Sequence, residues 1–292
     1  MHKSAFVFLL SAALVSLAGC DFEEWGNAQR FQEDFSQSHP LKAGGRLYVE
    51  TFNGSVEISG WDRETAEISG TKYASTEQAR NALRVDIVAT GDSVRIRTVR
   101  PTGHRGNMGA KYVIRVPNRT NLERVETSNG AVRIDGIEGD ARVRTSNGSV
   151  HAERLKGALE ATTSNAGVEL DEVQGAAVVE TSNGGIQASL REVTPRQPIK
   201  LTTSNGGIEL EMGSFKENEI EAATSNGGIT LRLPATTAAR LKANTSNASI
   251  SSDLEVKSAG EPGKNHLDGT IGAGGPPITL TTSNGAIRIQ KM

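Results

Sequence analysis

Aromatic side chains are nearly missing: Phe, Tyr and Trp make up 4% of 292 residues. A thick globular enzyme core normally draws on such rings, so the scarcity points to thin layers built from small residues. Cysteine is absent apart from Cys20, which excludes an internal disulfide framework. Neither sign of charge dominates, at a formal net charge of −2, so nothing pulls the chain globally toward nucleic acid. His2, His39, His104, His151 and His266 are scattered without metal-ligand spacing, and no metal or cofactor site is expected. No Gly-x-Ser-x-Gly elbow occurs either.

What is present instead is one phrase said nine times. TFNG begins at Thr51, and TSNG or TSNA begins at Thr127, Thr145, Thr163, Thr181, Thr203, Thr224, Thr245 and Thr282. The third position is always asparagine: Asn53, Asn129, Asn147, Asn165, Asn183, Asn205, Asn226, Asn247 and Asn284. From Asn129 the spacing is 18 three times, then 22, 21, 21 and 37. Two residues before each Thr stands Val, Leu or Ala, and five after it stands Val or Ile. Self-similarity at a fixed period marks a repeat architecture.

Within each unit the alternation has period two, as in Val125 in, Glu126 out, then Val132 in, Arg133 out, Ile134 in. That is strand patterning, with the motif as a tight corner between strands. Asn and Gly tolerate positive φ, which is the expected reason for their presence there. Two all-β architectures fit. In an antiparallel meander, Asn-Gly is a hairpin turn pairing Glu126 with Arg133 and Val125 with Ile134. In a single-chain β-solenoid, each unit is one coil stacked about 4.8 Å from the next.

The solenoid is the better reading, on three grounds. Ile137, Leu155 and Val173 form a third apolar column, with Gly139, Gly157 and Gly175 two residues later, which suggests a coil of three short sides. An invariant asparagine makes sense if each amide bonds its like above and below. Outward columns such as Glu126 then Arg144, and Arg133, His151, Glu169, Gln187, Glu209, mostly avoid like charges in neighbouring coils. A lone coil buries too little to offset its ordering entropy, so stacking makes the unit viable. The gap before Asn284, "SAGEPGKNHLDGTIGAGGPP", reads as a Gly/Pro-rich loop.

Four segments follow. Residues 1–20 are a signal peptide whose apolar stretch is too short for a stable span. Its end, Leu17-Ala18-Gly19-Cys20, resembles the lipobox of bacterial lipoproteins, which implies cleavage before Cys20 and lipidation of its thiol. Residues 21–44 read as a tether, carrying Phe22, Trp25, Phe31 and Phe35 and broken by Pro40 and Gly44. Residues 45–124 form an N-terminal β subdomain with a short helix at "TEQARNAL", capping the open end of the coils at 125–292.

"GGRLYVETFNGSVEISGWDRETAEI", "YVIRVPNRTNLERVETSNGAVRI" and "GTIGAGGPPITLTTSNGAIRI" together resemble a bacterial family of domains of unknown function labelled "putative adhesin". The resemblance runs from about residue 45 to the C-terminus. It implies a single-chain, right-handed β-helix on an envelope protein, with no catalytic residues and no transferable binding site.

The chemistry-bearing residues are few. Asp135, Asp140, Asp171 and Glu172 near the second corner, with Glu169 and Glu209, are the only candidates for a polysaccharide-active enzyme, and they alternate with basic and neutral residues. A basic run stands out: Arg95, Arg97, Arg100, Arg105, Lys111 and Arg115, followed by Arg119 and Arg124. Arg95 and Arg97 share a strand face, and the run is a candidate patch for lipid phosphates, lipopolysaccharide or acidic glycan. The expectation is a non-enzymatic protein of the bacterial cell envelope, held to the membrane by its N-terminal lipid and offering a repetitive surface to envelope or host glycan or protein. A carbohydrate-active enzyme and an accessory part in envelope-stress signalling are the alternatives.

Overall fold

A strand on either side of each motif must bury alternate side chains, so every unit gives two short walls joined at a corner. The structure, a computed structural model, describes residues 31–258 and 263–292. The chain begins with β1 (Phe31–Glu50), β2 (Val56–Trp61) and β3 (Thr65–Ala74), then helix α1 (Glu77–Ala82), whose N-cap Thr76 accepts the Ala79 N–H. β4 (Arg84–Ala89), β5 (Gly91–Val99), β6 (Met108–Pro117) and β7 (Thr120–Glu126) follow. The regular part comprises β8 (Val132–Asp135), β9 (Ala141–Arg144), β10 (Val150–Glu153), β11 (Leu159–Thr162), β12 (Val168–Asp171), β13 (Ala177–Glu180), β14 (Ile186–Leu190), β15 (Ile199–Thr202), β16 (Ile208–Met212), β17 (Ile220–Ala223) and β18 (Ile229–Leu233). The chain closes with β19 (Ala239–Thr245), β20 (Ile250–Ser252), β21 (Val256–Ser258), β22 (His266–Ile271), β23 (Pro277–Thr282) and β24 (Ile287–Lys291).

The strand before each motif joins one wall and the strand after it joins the other. In the second wall β8, β10, β12, β14, β16 and β18 stack in parallel and in register, Val132 on Val150 on Val168. In the first wall β7, β9, β11, β13, β15 and β17 do the same. The architecture is therefore a β-solenoid, and the antiparallel meander is excluded: Glu126 lies beside Arg144, and Arg133 beside His151. The core is one continuous apolar file running the length of the stack between the walls.

Only two sides of each coil are strands. Ile137, Leu155 and Val173 are buried, but the third side carries a single rung-to-rung bond, such as Lys156 N–H to Ile137 O at 2.8 Å. The chain turns into it with positive φ at Gly136, Arg154 and Glu172, one above another.

At both ends, spatial order departs from chain order. The rung β1–β2 slots between β5–β6 and β7–β8. The last rung, β23–β24, slots between β17–β18 and β19–β20. Antiparallel strands finish the edges, β4 and β3 at one end and β22 with β21 at the other.

Two expectations about segments change. Residues 31–44 are not a tether, because they lie in β1, and Phe31–Pro40 pairs antiparallel with β3 over ten residues. Phe35 anchors that edge, its ring set edge-on to Tyr112 at 6.0 Å and lying over Gly70, where a Cβ would collide with it. The segment before Asn284 is not a plain loop, since β22 pairs antiparallel with β19 and β21 in turn with β22. The signal peptide, Cys20 and residues 21–30 of the expected tether lie outside the described residues.

Candidate functional surface

Every residue of the repeated phrase has a separate duty between rungs. Thr hydroxyls are buried and work as clips: Thr145 Oγ1 donates to Gly130 O at 3.2 Å and accepts from the Gly148 N–H at 3.1 Å. Thr163, Thr203 and Thr282 donate to the preceding rung in the same way, at 2.9, 2.8 and 2.9 Å. The Ser carbonyl accepts two N–H groups from the next rung, as Ser128 O does from Ser146 and Asn147.

The nine asparagines form one file. Asn129 Nδ2 donates to Asn53 Oδ1, and the same bond links Asn147, Asn165, Asn183, Asn205 and Asn226 in turn, at 2.6 to 2.8 Å. Asn284 then donates to Asn226 and Asn247 to Asn284, both at 2.7 Å, so the inserted rung keeps the file unbroken. Asn53 ends it by donating to Met108 O at 3.0 Å. All the amides point the same way, toward the N-terminal end, so each bond polarises the next.

The motif glycine has a reason other than the expected one. Among the described residues only Gly54 of this column has positive φ. What the corner forbids is a side chain: a Cβ at Gly130 or Gly148 would fall on the carbonyl oxygen of the motif glycine one rung below.

Beside this ridge, a trough of about 590 Å³ runs along the second wall. Its floor is Ser149, Gly167, Gly185, Gly207 and Gly228, the residues just after each motif. Its wall is the outward column Arg133, His151, Glu169, Gln187, Glu209 and Thr230. His151 Nδ1 is 3.1 Å from Glu169, and Arg232 pairs with Glu209. Glu57, next to Arg133 in register, leads into a second hollow of about 650 Å³ lined by Phe35, Lys111, Tyr112 and Val113. The result is a long, open surface with polar groups repeated at each rung.

Neighbouring rungs do not always avoid like charge. Glu50 and Glu126 are partners in register, and Arg124 bridges them at 3.3 and 2.7 Å. Asp135, Glu153 and Asp171 share a column, with Arg154 paired to the first two. Columns therefore tolerate repeated acids where a cation from the adjacent side chain reaches between them. Glu172 pairs with Arg191 at 3.7 Å, and Asp140 caps the Ala158 N–H. Asp135, Asp140, Glu153 and Glu172 thus serve as structural partners.

The basic run is not one patch. Arg95 and Arg97 lie on β5 in the first wall, whereas Lys111 and Arg115 lie on β6 in the second, because the chain changes walls between them. Arg97, Arg115 and Arg119 reach Glu50, Glu67 and Glu138 at 3.6, 3.9 and 4.0 Å. Arg95, Arg100 and Lys111 stand over the rings of Tyr48, Phe52 and Tyr73 instead, at 4.6, 4.5 and 5.9 Å. Arg105 is exposed on the loop between β5 and β6. The neighbouring Tyr112 hydroxyl is pushed up to about 12 by burial, against the opposing effect of its bond to Thr98.

Among the described residues no cluster of His, Cys, Asp and Glu could hold a metal ion. Among them, too, no helix is long and apolar enough to cross a membrane.

Comparison with known proteins gives no match among curated sequences. Similar proteins are found among solved structures. A "putative adhesin" from Bacteroides fragilis shares 13% identity, with 89% of this chain and 97% of that one covered and a TM-score of 0.48. A "putative cell adhesion protein" from Clostridium sporogenes shares 13% identity, with 89% and 100% covered and a TM-score of 0.31. The sequence profile of the Toastrack family DUF4097 matches residues 40–290. With that match spanning most of its length, the chain belongs to the Toastrack DUF4097 family.

Proposed function

We propose that this protein is a non-enzymatic, lipid-anchored component of the bacterial cell envelope that holds a partner, protein or glycan, along the side of its stack. The supporting observation is the trough from Arg133 to Thr230, open along the solenoid axis and crossing six successive rungs. Such a surface suits an extended partner that makes similar contacts at each rung. A small substrate would want a concave pocket with a few convergent polar groups. The adhesion wording attached to the two solved structures agrees with this reading without specifying a ligand.

The test is retention of the mature lipoprotein on immobilised envelope glycans and on solubilised envelope protein at low salt. A variant with Arg133→Ala, Glu169→Ala and Glu209→Ala should keep the fold, since all three side chains point outward, and should lose most of the retention. Equal retention of both proteins would remove the trough from the account. Sugar release from a polysaccharide panel, abolished by Asp171→Asn, would replace the reading with an enzymatic one.

A further inference from the structure

We infer that the N-terminal end of the stack is a membrane-facing tip, on which Arg100 and Arg105 contact the phosphates of anionic phospholipid headgroups. The inference rests on the proposed lipid anchor and adds the orientation of the stack and the residues that set it.

The first observation is where the chain enters. Phe31 pairs with Ala74, and Ala74 pairs with Met108, so the three form one row across three strands. Met108 begins β6, directly after the loop 100–107 that carries Arg100 and Arg105. Two strand spacings, about 10 Å, therefore separate the entry point from the end of that loop. Cys20 precedes Phe31 by eleven residues, a reach of at most about 40 Å even if fully extended. An acyl chain on Cys20 would hold this end of the stack, and with it the loop 100–107, within that reach of the bilayer.

The second observation is charge. From Ser93 to Leu122 there is no acidic residue, against Arg95, Arg97, Arg100, Arg105, Lys111, Arg115 and Arg119. Arg97, Arg115 and Arg119 have carboxylate partners along the walls. Among the described residues Arg100 and Arg105 have none. Arg100 is propped over the Phe52 ring, and Arg105 is exposed two residues before Asn107, whose carbonyl accepts the Ser75 N–H. The loop thus has an anchored end and two cations free to meet an anion. The stretch between Cys20 and Phe31 holds Asp21, Glu23 and Glu24 against Arg30, so it does not supply the attraction itself. At the other end of the stack Asp253, Glu255 and Asp268 are interspersed with Lys257 and Lys264, which gives no comparable bias.

Each cation near an anionic bilayer strengthens association about five-fold, and the effect falls off within a Debye length. Two of them close to a lipid anchor are enough to bias which end of a rigid stack rests on the surface.

The experiment places the mature lipoprotein in nanodiscs of pure phosphatidylcholine or of phosphatidylcholine with one third phosphatidylglycerol, and follows amide exchange of residues 100–110. Expected is slower exchange with phosphatidylglycerol, on the order of ten-fold, lost in high salt and in the variant Arg100→Gln/Arg105→Gln, and restored by Arg100→Lys/Arg105→Lys. Identical exchange in the two lipids, or protection that survives the glutamine variant, overturns the inference. Intact-mass measurement keeps the two readings apart. An acylated chain without lipid-dependent protection sinks this inference alone, while a chain with no acyl group at Cys20 sinks the anchor reading beneath it.

Discussion

Between β8 and β18 each rung lies on the rung that precedes it in the chain, and the pairing repeats in register five times on the second wall. The two ends are built differently. There the terminal rung is not outermost: β1–β2 lies inside β5–β6, and β23–β24 lies inside β19–β20. The middle is held by contacts between segments about twenty residues apart, whereas the ends require contacts across 76 residues (Asn53 to Asn129) and 58 residues (Asn226 to Asn284). Insertion gives each end a rung that is bonded on both faces, and an antiparallel strand then covers the edge that a parallel stack would leave open. Regularity makes the stack extensible, and its ends make it finite.

The sharpest way to break this comparison is to remove one rung of each kind. Deleting residues 150–167 takes out a central coil and brings Val168 onto Val132 in the register that Val150 held. That chain should fold cooperatively, with a small loss in melting temperature by circular dichroism. Ending the chain at Gly275 removes β23 and β24 and the buried Ile278, Leu280, Ile287 and Ile289. At about 1.5–3 kcal/mol for each side chain, the loss is upward of about 6 kcal/mol. Protease should then cut the region after Leu233 while the earlier rungs resist. If the truncated chain proves as stable as the coil deletion, β19–β20 has simply closed onto β17–β18, and insertion is dispensable.

This same contrast explains what was legible in the sequence. The apolar columns at Val132, Val150, Val168 and at Val125, Val143 were readable because burial in a strand imposes period two and stacking imposes the longer period. The asparagine file was readable because only like amides bond through a whole stack. The order of the end rungs was not, since Asn247 and Asn284 stand in identical motifs and either could follow Asn226. Nor was the place of Phe31–Pro40, a polar segment whose strand character comes from its partner β3. The glycine was read as a matter of φ because φ belongs to one residue, whereas the collision that excludes a Cβ involves a carbonyl from another coil. Arg95 through Arg115 looked like one patch because sequence proximity does not record a change of wall.

Alkali should separate the regions next. Tyr112, in the N-terminal end, is raised to about 12 by burial, and Tyr73 beside it is also raised. A pKa above the unfolded value of 10.0 means that the folded state holds the proton more tightly. The stabilisation is fully present below pH 10 and is lost as pH climbs through about 12. Two pH units correspond to about 2–3 kcal/mol. Absorbance of tyrosinate together with amide exchange should show the β3–β6 region opening before the central rungs, which bury no tyrosine. Simultaneous opening would mean that the end and the middle are one cooperative unit.

Within the middle, two adjacent glycines should behave in opposite ways. A Cβ at Gly206 would fall on the carbonyl of Gly184, whereas one at Gly207 comes no closer than 3.4 Å to Gly228 O. Gly206→Ala should cost about 1–3 kcal/mol in urea unfolding, as overpacking does. Gly207→Ala should stay within about 0.5 kcal/mol of the parent. Alanine already occupies the motif column at Ala166 and Ala248, so rungs can give way locally, which is why the cost is bounded. Equal effects at the two positions would mean that rung spacing is not set at the corner.

The smallest expected difference lies in the asparagine file, and it tests whether the file acts as a chain or as separate bonds. Asn183 donates to Asn165 and accepts from Asn205, whereas Asn247, at the end, only donates to Asn284. Asn183→Ala removes two bonds of the file, with a long 3.4 Å contact to Ser164 O, and should cost about 1 kcal/mol because water replaces the lost partners in an exposed row. Asn247→Ala should cost a few tenths of that scale. The double variant Asn165→Ala/Asn183→Ala is the informative one. It removes three bonds of the file, since the one between the two residues is shared. Independent bonds give a cost below the sum of the two single variants, because the shared bond would otherwise be counted twice. Independent bonds make that shortfall the worth of the one shared bond. Mutual polarisation along the aligned amides makes each single variant also weaken the bonds flanking its gap, two of which are already gone in the double variant, so the shortfall then exceeds one bond.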